Sequence, residues 1–495
     1  PHLLQEAIRT GYEGQRVATT LDRLLQTQTQ ALLERYHEAY SANEIYNGAM
    51  VVADVTTGHI LAYHGNIYPT RTQRDTGAHV NVIAAPRSSG STLKPLLHAS
   101  MLREGEILPH TLLPDIPTSV AGFRPKNYSR QYSGAVPASQ ALARSLNVPA
   151  VRMLQTYGLA RFHEQLQKLG FATITKDADH YGLSLILGGA EVTLAALVST
   201  YASMARVLNH FHDYSALYDP NDYRSISWQP TDRPAPQRHR LQAQPPFFGA
   251  GPIWCTFEAL SAMHRPNEAG MWQLFRAAKR IAWKTGTSYD HKDAWAIGIT
   301  PTYVVGVWIG NADGAGRPGL TGTQTAAPVM FDVFKLLPAT PWFDPPYDDL
   351  AEAPICVQSG CRAGMACEHT TLALIPPNGH KAPPCPYHQR IHLDAKAQFR
   401  VTSSGYPVSQ MHTQSWFVLP PAMEWYYRKE NPFYKPLPPL SPACTPTAGH
   451  SIDLIYPTPH AKIYLPKDIN HPRPRTDIEA AHSAAPARNP RPLGE

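Results

Sequence analysis

Ile281-Ala282-Trp283-Lys284-Thr285, then Ala294-Trp295-Ala296-Ile297-Gly298-Ile299-Thr300, then Tyr303-Val304-Val305-Gly306-Val307-Trp308-Ile309-Gly310: the reading of this stretch decides the fold class. The three runs are rich in aromatic and β-branched residues and read as strands, with Pro301-Thr302 as the turn between the last two. Two further apolar runs, 50–55 and 59–63, flank Thr56-Thr57-Gly58 and read as a hairpin. Residues 21–36 predict an amphipathic helix, with Leu21, Leu24, Leu25 and Leu32 near helical spacing. Residues 87–207 are mostly helical in pattern, with 185–205 a largely apolar, buried stretch, and the polar, Pro- and Gln-rich 219–246 reads as a loop. Strands, then helices, then strands predict an α+β sheet with helices on its faces.

The chain has 495 residues, more than one compact core usually holds, so two or three domains are expected. Its 48 prolines concentrate after about Leu337 and predict a loop-rich, extended second half. There, 452–456 and 461–465 read as two short strands of a small β-module, and 471–495 as a disordered tail. A formal net charge of +6 is modest at this length, and no basic run interleaved with aromatics suggests nucleic-acid binding. No stretch approaches the roughly eighteen uninterrupted apolar residues of a membrane span, and no signal-peptide pattern opens the chain. The first residue is Pro1 rather than Met, so the sequence reads as a processed or excised piece of something longer.

Three short motifs occur in a fixed order. The first is Ser91-Thr92-Leu93-Lys94, preceded by Gly90. Residues three apart share a helix face, so the Ser91 hydroxyl and the Lys94 amine can meet, and a helix start at Gly90-Ser91 would aim backbone N–H groups at an oxyanion. The second is Ser145-Leu146-Asn147, and the third is Lys284-Thr285-Gly286-Thr287 on a predicted strand. Each alone is weak. Ser91 by itself reads as a helix cap, Lys94 as a solvated helix residue, and Ser41-Ala42-Asn43 also fits the second pattern, upstream and in the wrong order. All three in order, each in a suitable local context, carry the signal.

That ordered triple is the established signature of serine β-lactamases and penicillin-binding proteins, so the pattern is recognised rather than discovered. The resemblance runs beyond it. Arg87-Ser88-Ser89-Gly90-Ser91-Thr92-Leu93-Lys94-Pro95 resembles the active-serine segment of bifunctional class A penicillin-binding proteins. The blocks 141–151, 181–191, 284–288 and 293–298 resemble the 1C subgroup in particular, and the similarity covers roughly 17–465. Leu146 stands where some members have Asp. Ser89 stands where many have Pro, which would loosen the turn without removing a chemical group.

The resemblance implies a serine penicillin-recognising transpeptidase fold, an antiparallel sheet between helical layers, followed by a small, apparently truncated C-terminal β-module. The expected division is 1–40 lead-in segment and helix, 41–340 transpeptidase domain, 341–440 Pro/Cys-rich linking region, and 441–495 partial β-module and tail. It implies a peptidoglycan DD-transpeptidase, acylated by β-lactams, on the periplasmic side of the bacterial inner membrane. Ser91 would attack the D-Ala-D-Ala bond, and Lys94 would take its proton. Ser145 and Lys284 would relay a proton to the leaving amine, while Asn147 holds the substrate amide and positions Lys94. Thr285 and Thr287 would bind the terminal carboxylate, and Gly286 would leave the strand edge bare for an extended peptide. Backbone N–H groups of Ser91 and Thr287 would form the oxyanion hole. Asp293, Glu191 and His98 read as structural. Two alternatives stand beside this: an acyl-serine hydrolase (carboxypeptidase or β-lactamase), and a quiet envelope scaffold or antibiotic sensor.

Such proteins normally begin with a membrane anchor and a glycosyltransferase domain. Neither is recognisable here, so the expectation is no glycan-polymerising activity and a membrane link only through a missing N-terminal anchor. Stem peptides and β-lactams are the expected partners, with envelope proteins for the C-terminal module; no cofactor is expected, and no metal-ligating residue is assigned. Cys356, Cys361, Cys367, Cys385 and His388 cluster in sequence and would supply zinc ligands, although the spacing is irregular for a zinc finger. If the resemblance places the chain in the periplasm, disulfides are the preferred reading, with free buried thiols the third.

Overall fold

The structure is a computed structural model and describes residues 1–67, 76–231, 238–262 and 279–444, with the backbone of the strands Ile452–Tyr456 and Glu479–His482. It divides into two compact units. The first comprises 1–104, 142–145 and 153–351; the second comprises 105–141, 146–152 and 352–495. Residues 105–141, inside the stretch read as one transpeptidase domain, thus group with the C-terminal part.

The first unit is built on five strands: β1 (Asn47–Asp54), β2 (Ile60–His64), β3 (Ala282–Thr287), β4 (Asp293–Ile299) and β5 (Tyr303–Gly310). All pairings are antiparallel, in the order β2-β1-β5-β4-β3. The early hairpin therefore completes a sheet whose other strands arrive more than two hundred residues later, with Asn47 opposite Gly310. β3 forms the far edge. Its register sets Lys284 opposite Ile297 and Gly286 opposite Trp295.

Both faces of the sheet are covered, so successive residues of its central strands are buried whichever way they point. On one face lie α1 (Arg23–Ser41) and α5 (Ala327–Leu336), whose Leu25, Leu32, Leu33, Met330 and Phe334 join Val52, Trp283 and Val307 in a single cluster. The Asp22 carboxylate accepts the Leu25 N–H at 2.7 Å and fixes where α1 starts. The other face carries α3 (Leu194–Asp213), packed on β1 and β5, and α4 (Ala250–Ser261), packed on β3. α2 (Lys94–Glu104) packs on α4. Because side chains alternate along a strand, Lys284 points to the face opposite Trp283, toward these helices.

The second unit is a set of short ribbons: Leu112–Asp115 with Gly134–Pro137, Ala351–Cys356 with Thr370–Ile375, and His388–Leu393 with His412–Phe417. Its apolar clusters are small, one around Leu108, Ile355 and Ile375 and another around Leu112, Phe417 and Met423. Ile452–Tyr456 is a strand as read, paired antiparallel with Glu479–His482. Those four residues of the supposed tail are thus strand; 461–465 and the remainder of 471–495 lie outside the described residues. Among the described residues, no helix is long and apolar enough to cross a membrane.

Candidate active site

The helix expected to begin at Gly90-Ser91 begins three residues later. Ser91 to Leu93 form a tight turn, with Thr92 N–H on Ser89 O (3.1 Å) and Lys94 N–H on Ser91 O (3.3 Å), and α2 runs from Lys94. Pro95 has no N–H to give, so its place at the second helical position costs no bond. The turn is pinned from several sides. Trp295 Nε1 donates to Ser88 O at 2.8 Å, Tyr201 Oη to Thr92 O at 2.7 Å, and Ser88 Oγ to Gly188 O at 2.8 Å. Ser89 N–H donates to Ala190 O at 3.0 Å. A proline at 89 lacks that donor, so Ser89 ties the turn where the sequence reading had it loosening it.

Gly90 is the close-packing point. Its φ is +53°, and a Cβ there would sit 2.7 Å from the Thr287 nitrogen, on β3. Gly286 is its counterpart, where a Cβ would meet Ser89 O at 2.8 Å. The serine turn and the edge strand thus touch backbone to backbone only because both residues lack side chains. Gly90→Ala is expected to destabilise the chain by about 1–3 kcal/mol, read from urea unfolding; an unchanged midpoint would mean the two segments part without cost.

Ser145 reaches the same place by a different device. The helix Ala138–Ala143 ends in a Schellman motif, with Ser145 N–H on Leu142 O (3.0 Å) and Leu146 N–H on Ala141 O (2.9 Å). This ending puts Ser145 at φ +55°, a position usually taken by glycine. Its carbonyl accepts from Lys94 Nζ at 2.8 Å, and its hydroxyl accepts from Lys284 Nζ at 2.7 Å. Lys284 Nζ also donates to Thr285 O at 2.8 Å. One serine therefore sits between two lysines.

Both lysines are buried, Lys94 at 3% and Lys284 at 0% exposure. Burial disfavours the charged form of an amine, and a second cation nearby adds to that. Burial first, and then the positive charge of Lys284, hold Lys94 well below the ordinary lysine range. Burial lowers Lys284 to about 7. Thr287 Oγ1 accepts the Gly322 N–H at 3.0 Å, and Thr285 is buried beside it on β3.

Asn147 belongs to the second unit. There its N–H meets Asn127 Oδ1 at 3.0 Å and its Nδ2 donates to Lys126 O at 2.9 Å, at the start of the helix Asn147–Tyr157. Asp293 accepts from Trp308 Nε1 at 3.0 Å and locks the β4–β5 pairing, and His98 is buried against Thr256 at 3.0 Å. Sequence reasoning missed the Ser145 carbonyl and the Gly322 contact. Glu191, read as structural, lies in the ribbon in which Glu191–Val192 pairs with Arg87–Ser88 and braces the serine turn.

Residues 48–234 match the family model described as the penicillin binding protein transpeptidase domain. Penicillin-binding protein 1C of Escherichia coli K12 is 33% identical over 327 residues, which is 66% of this chain and 39% of that protein. Penicillin-binding protein 1A of Neisseria meningitidis is 30% identical over 307 residues, 59% of this chain and 36% of that one. The chain thus spans under two fifths to about two fifths of these relatives' length. The structure of PonA1 from Mycobacterium tuberculosis, in complex with penicillin V, superposes with a TM-score of 0.51 at 18% identity, covering 69% of this chain and 90% of that one. Residues 48–234 thus match a penicillin-binding protein transpeptidase domain, the chain has the fold of that domain, and its similarity is to class A penicillin-binding proteins, the 1C type among them.

Proposed function

We propose that the chain is a peptidoglycan DD-transpeptidase working through an acyl-enzyme on Ser91. The observation that carries this reading is the Lys94–Ser145–Lys284 chain of contacts: two buried lysines sharing one serine, beside the Ser91 turn. A lysine must be neutral to accept a proton, and burial beside a second cation favours that state for Lys94.

In the first half-reaction Ser91 Oγ attacks the carbonyl between the two terminal D-Ala residues, and its proton passes to the Lys94 amine. The tetrahedral oxyanion is received by the backbone N–H groups of Ser91 and Thr287. As the C–N bond breaks, the leaving nitrogen takes a proton through Ser145 from Lys284, and D-Ala departs. In the second half-reaction an amine from a neighbouring stem attacks the ester and gives its proton through Ser145 to Lys284, while Lys94 returns its proton to the departing Ser91 oxygen. Thr287 Oγ1 already accepts one hydrogen bond, which leaves its own hydrogen to donate to the substrate's terminal carboxylate. Gly286 presents bare edge backbone along which the peptide adds as a strand. A β-lactam acylates the same serine, because its ring amide is open to the same attack. The substrate's location puts this activity on the outer face of the inner membrane.

The test supplies a pentapeptide-stem donor and a separate amine acceptor and follows products by mass spectrometry. Cross-linked product with release of D-Ala is expected. Tetrapeptide alone would replace the reading with a carboxypeptidase, and no turnover would leave a scaffold.

A further inference from the structure

We propose that Cys356, Cys367, Cys385 and His388 form a structural zinc site in the second unit. Their four ligand atoms lie within 4.8 Å of one another. The His388 Nδ1 is 3.5 Å from Cys356 Sγ, 3.6 Å from Cys367 Sγ and 3.3 Å from Cys385 Sγ. One imidazole nitrogen has either one hydrogen or one lone pair, so it cannot serve three sulfurs by hydrogen bonding. A single cation at the centre can. Zn–S bonds of about 2.3 Å and a Zn–N bond of about 2.0–2.1 Å in a tetrahedron make each N···S edge about 3.6 Å. The three distances fall close to that edge.

The surroundings suit thiolates and a metal-bound imidazole. His388 Nε2 lies 2.8 Å from Gln358 Oε1, and an N–H there donates to the amide oxygen and leaves the Nδ1 lone pair facing the sulfurs. Ser359 Oγ donates to Cys385 Sγ at 3.1 Å, and the Gly364 N–H donates to Cys367 Sγ at 3.3 Å. Such donors steady a ligating sulfur's negative charge.

The fifth candidate is excluded. Cys361 Sγ turns to the Ser359 carbonyl at 3.7 Å, and the Cys361 carbonyl accepts the Cys356 N–H at 2.9 Å, closing a turn. It shapes the loop that places Cys356. The preferred expectation of disulfides is not what is observed, since all six cysteines are free. Three sulfurs around one imidazole also cannot all pair among themselves.

Four protein ligands with no open position make the site structural rather than catalytic. What it would hold together is plain from the topology. Cys356 ends the strand Ala351–Cys356, Cys367 lies in the loop that follows, and Cys385-Pro386-Tyr387-His388 leads into the strand His388–Leu393. One ion thus ties two separate ribbons, in a unit whose apolar clusters are small. Soft thiolate ligands in a tetrahedron select zinc over magnesium or calcium.

The test uses the full chain, purified without chelator. Elemental analysis should find one zinc per chain, and thiol titration in denaturant with chelator should find all six cysteines reduced. Cobalt exchanged into the reduced protein should give the visible bands of a tetrahedral thiolate site. Cys385→Ser and His388→Ala should lose the metal, while Cys361→Ser keeps it. If a ligand variant does not fold, the wild-type metal content and cobalt spectrum still decide. No stoichiometric zinc or cobalt binding by the reduced chain, or fewer than six thiols in the native one, overturns the proposal.

Discussion

Lys94→Ala should slow acylation of Ser91 by a β-lactam by about 10²–10⁴-fold, the usual worth of a positioned general base. Without it Ser91 loses the amine proposed to take its proton, and the neighbouring lysine carries its charge up to about pH 7 and is bonded to Ser145 and Thr285. Stability should move the other way or not at all. Lys94 is buried at 3% exposure beside a second cation, and burial disfavours its charged form. Lys94→Met keeps the volume and removes the amine, so it should match or exceed the wild type in urea while acylating as slowly as the alanine variant. Stopped-flow acylation and an unfolding curve on the same protein separate the two effects. A Lys94→Met chain that acylates at the native rate would remove Lys94 from the mechanism.

The second large effect is in pH. Burial lowers Lys284 from the ordinary 10.5 to about 7, so the folded chain releases that proton well before the unfolded chain does. Between those values the unfolded state binds more protons, and stability rises with pH across the window. Below pH 7 both states are protonated and the folded state bears the whole cost of a buried charge, about 5 kcal/mol. Lys284→Met should therefore be more stable than the wild type at pH 6, and the difference should shrink as pH rises from 7 toward 10. Acylation carries the complementary sign. Lys284 donates through Ser145 only while protonated, so the native rate should fall above about pH 7, and Lys284→Met should be slow throughout. Parallel stability curves for the two proteins across that window would contradict the burial argument.

The sheet was legible because its strands are written as dense apolar runs. The runs at 281–285, 294–300 and 303–310 fall within a residue or two of β3, β4 and β5. The order β2-β1-β5-β4-β3 was not legible, since nothing local records that Asn47 will lie opposite Gly310. The motif residues were readable as short words, and the structure brings Ser145 between Lys94 and Lys284. What holds them there was not readable. Ser145 is presented by a helix ending, and the serine turn by the Gly90–Thr287 contact and the Arg87–Ser88 ribbon with Glu191–Val192. These are backbone devices, and sequence spacing encodes side chains better than backbone approach. The metal-type cluster fails for a related reason: the sequence offered five candidate ligands, and only the folded loops separate Cys361 from the other four.

Covalent labelling with a fluorescent penicillin tests Ser91 as the nucleophile. The native chain and Ser91→Ala are labelled side by side, and the modified residue is located by peptide mass spectrometry over time. A slowly decaying adduct is expected on Ser91, absent from the alanine variant. An adduct elsewhere, or no label on folded native protein, would contradict it.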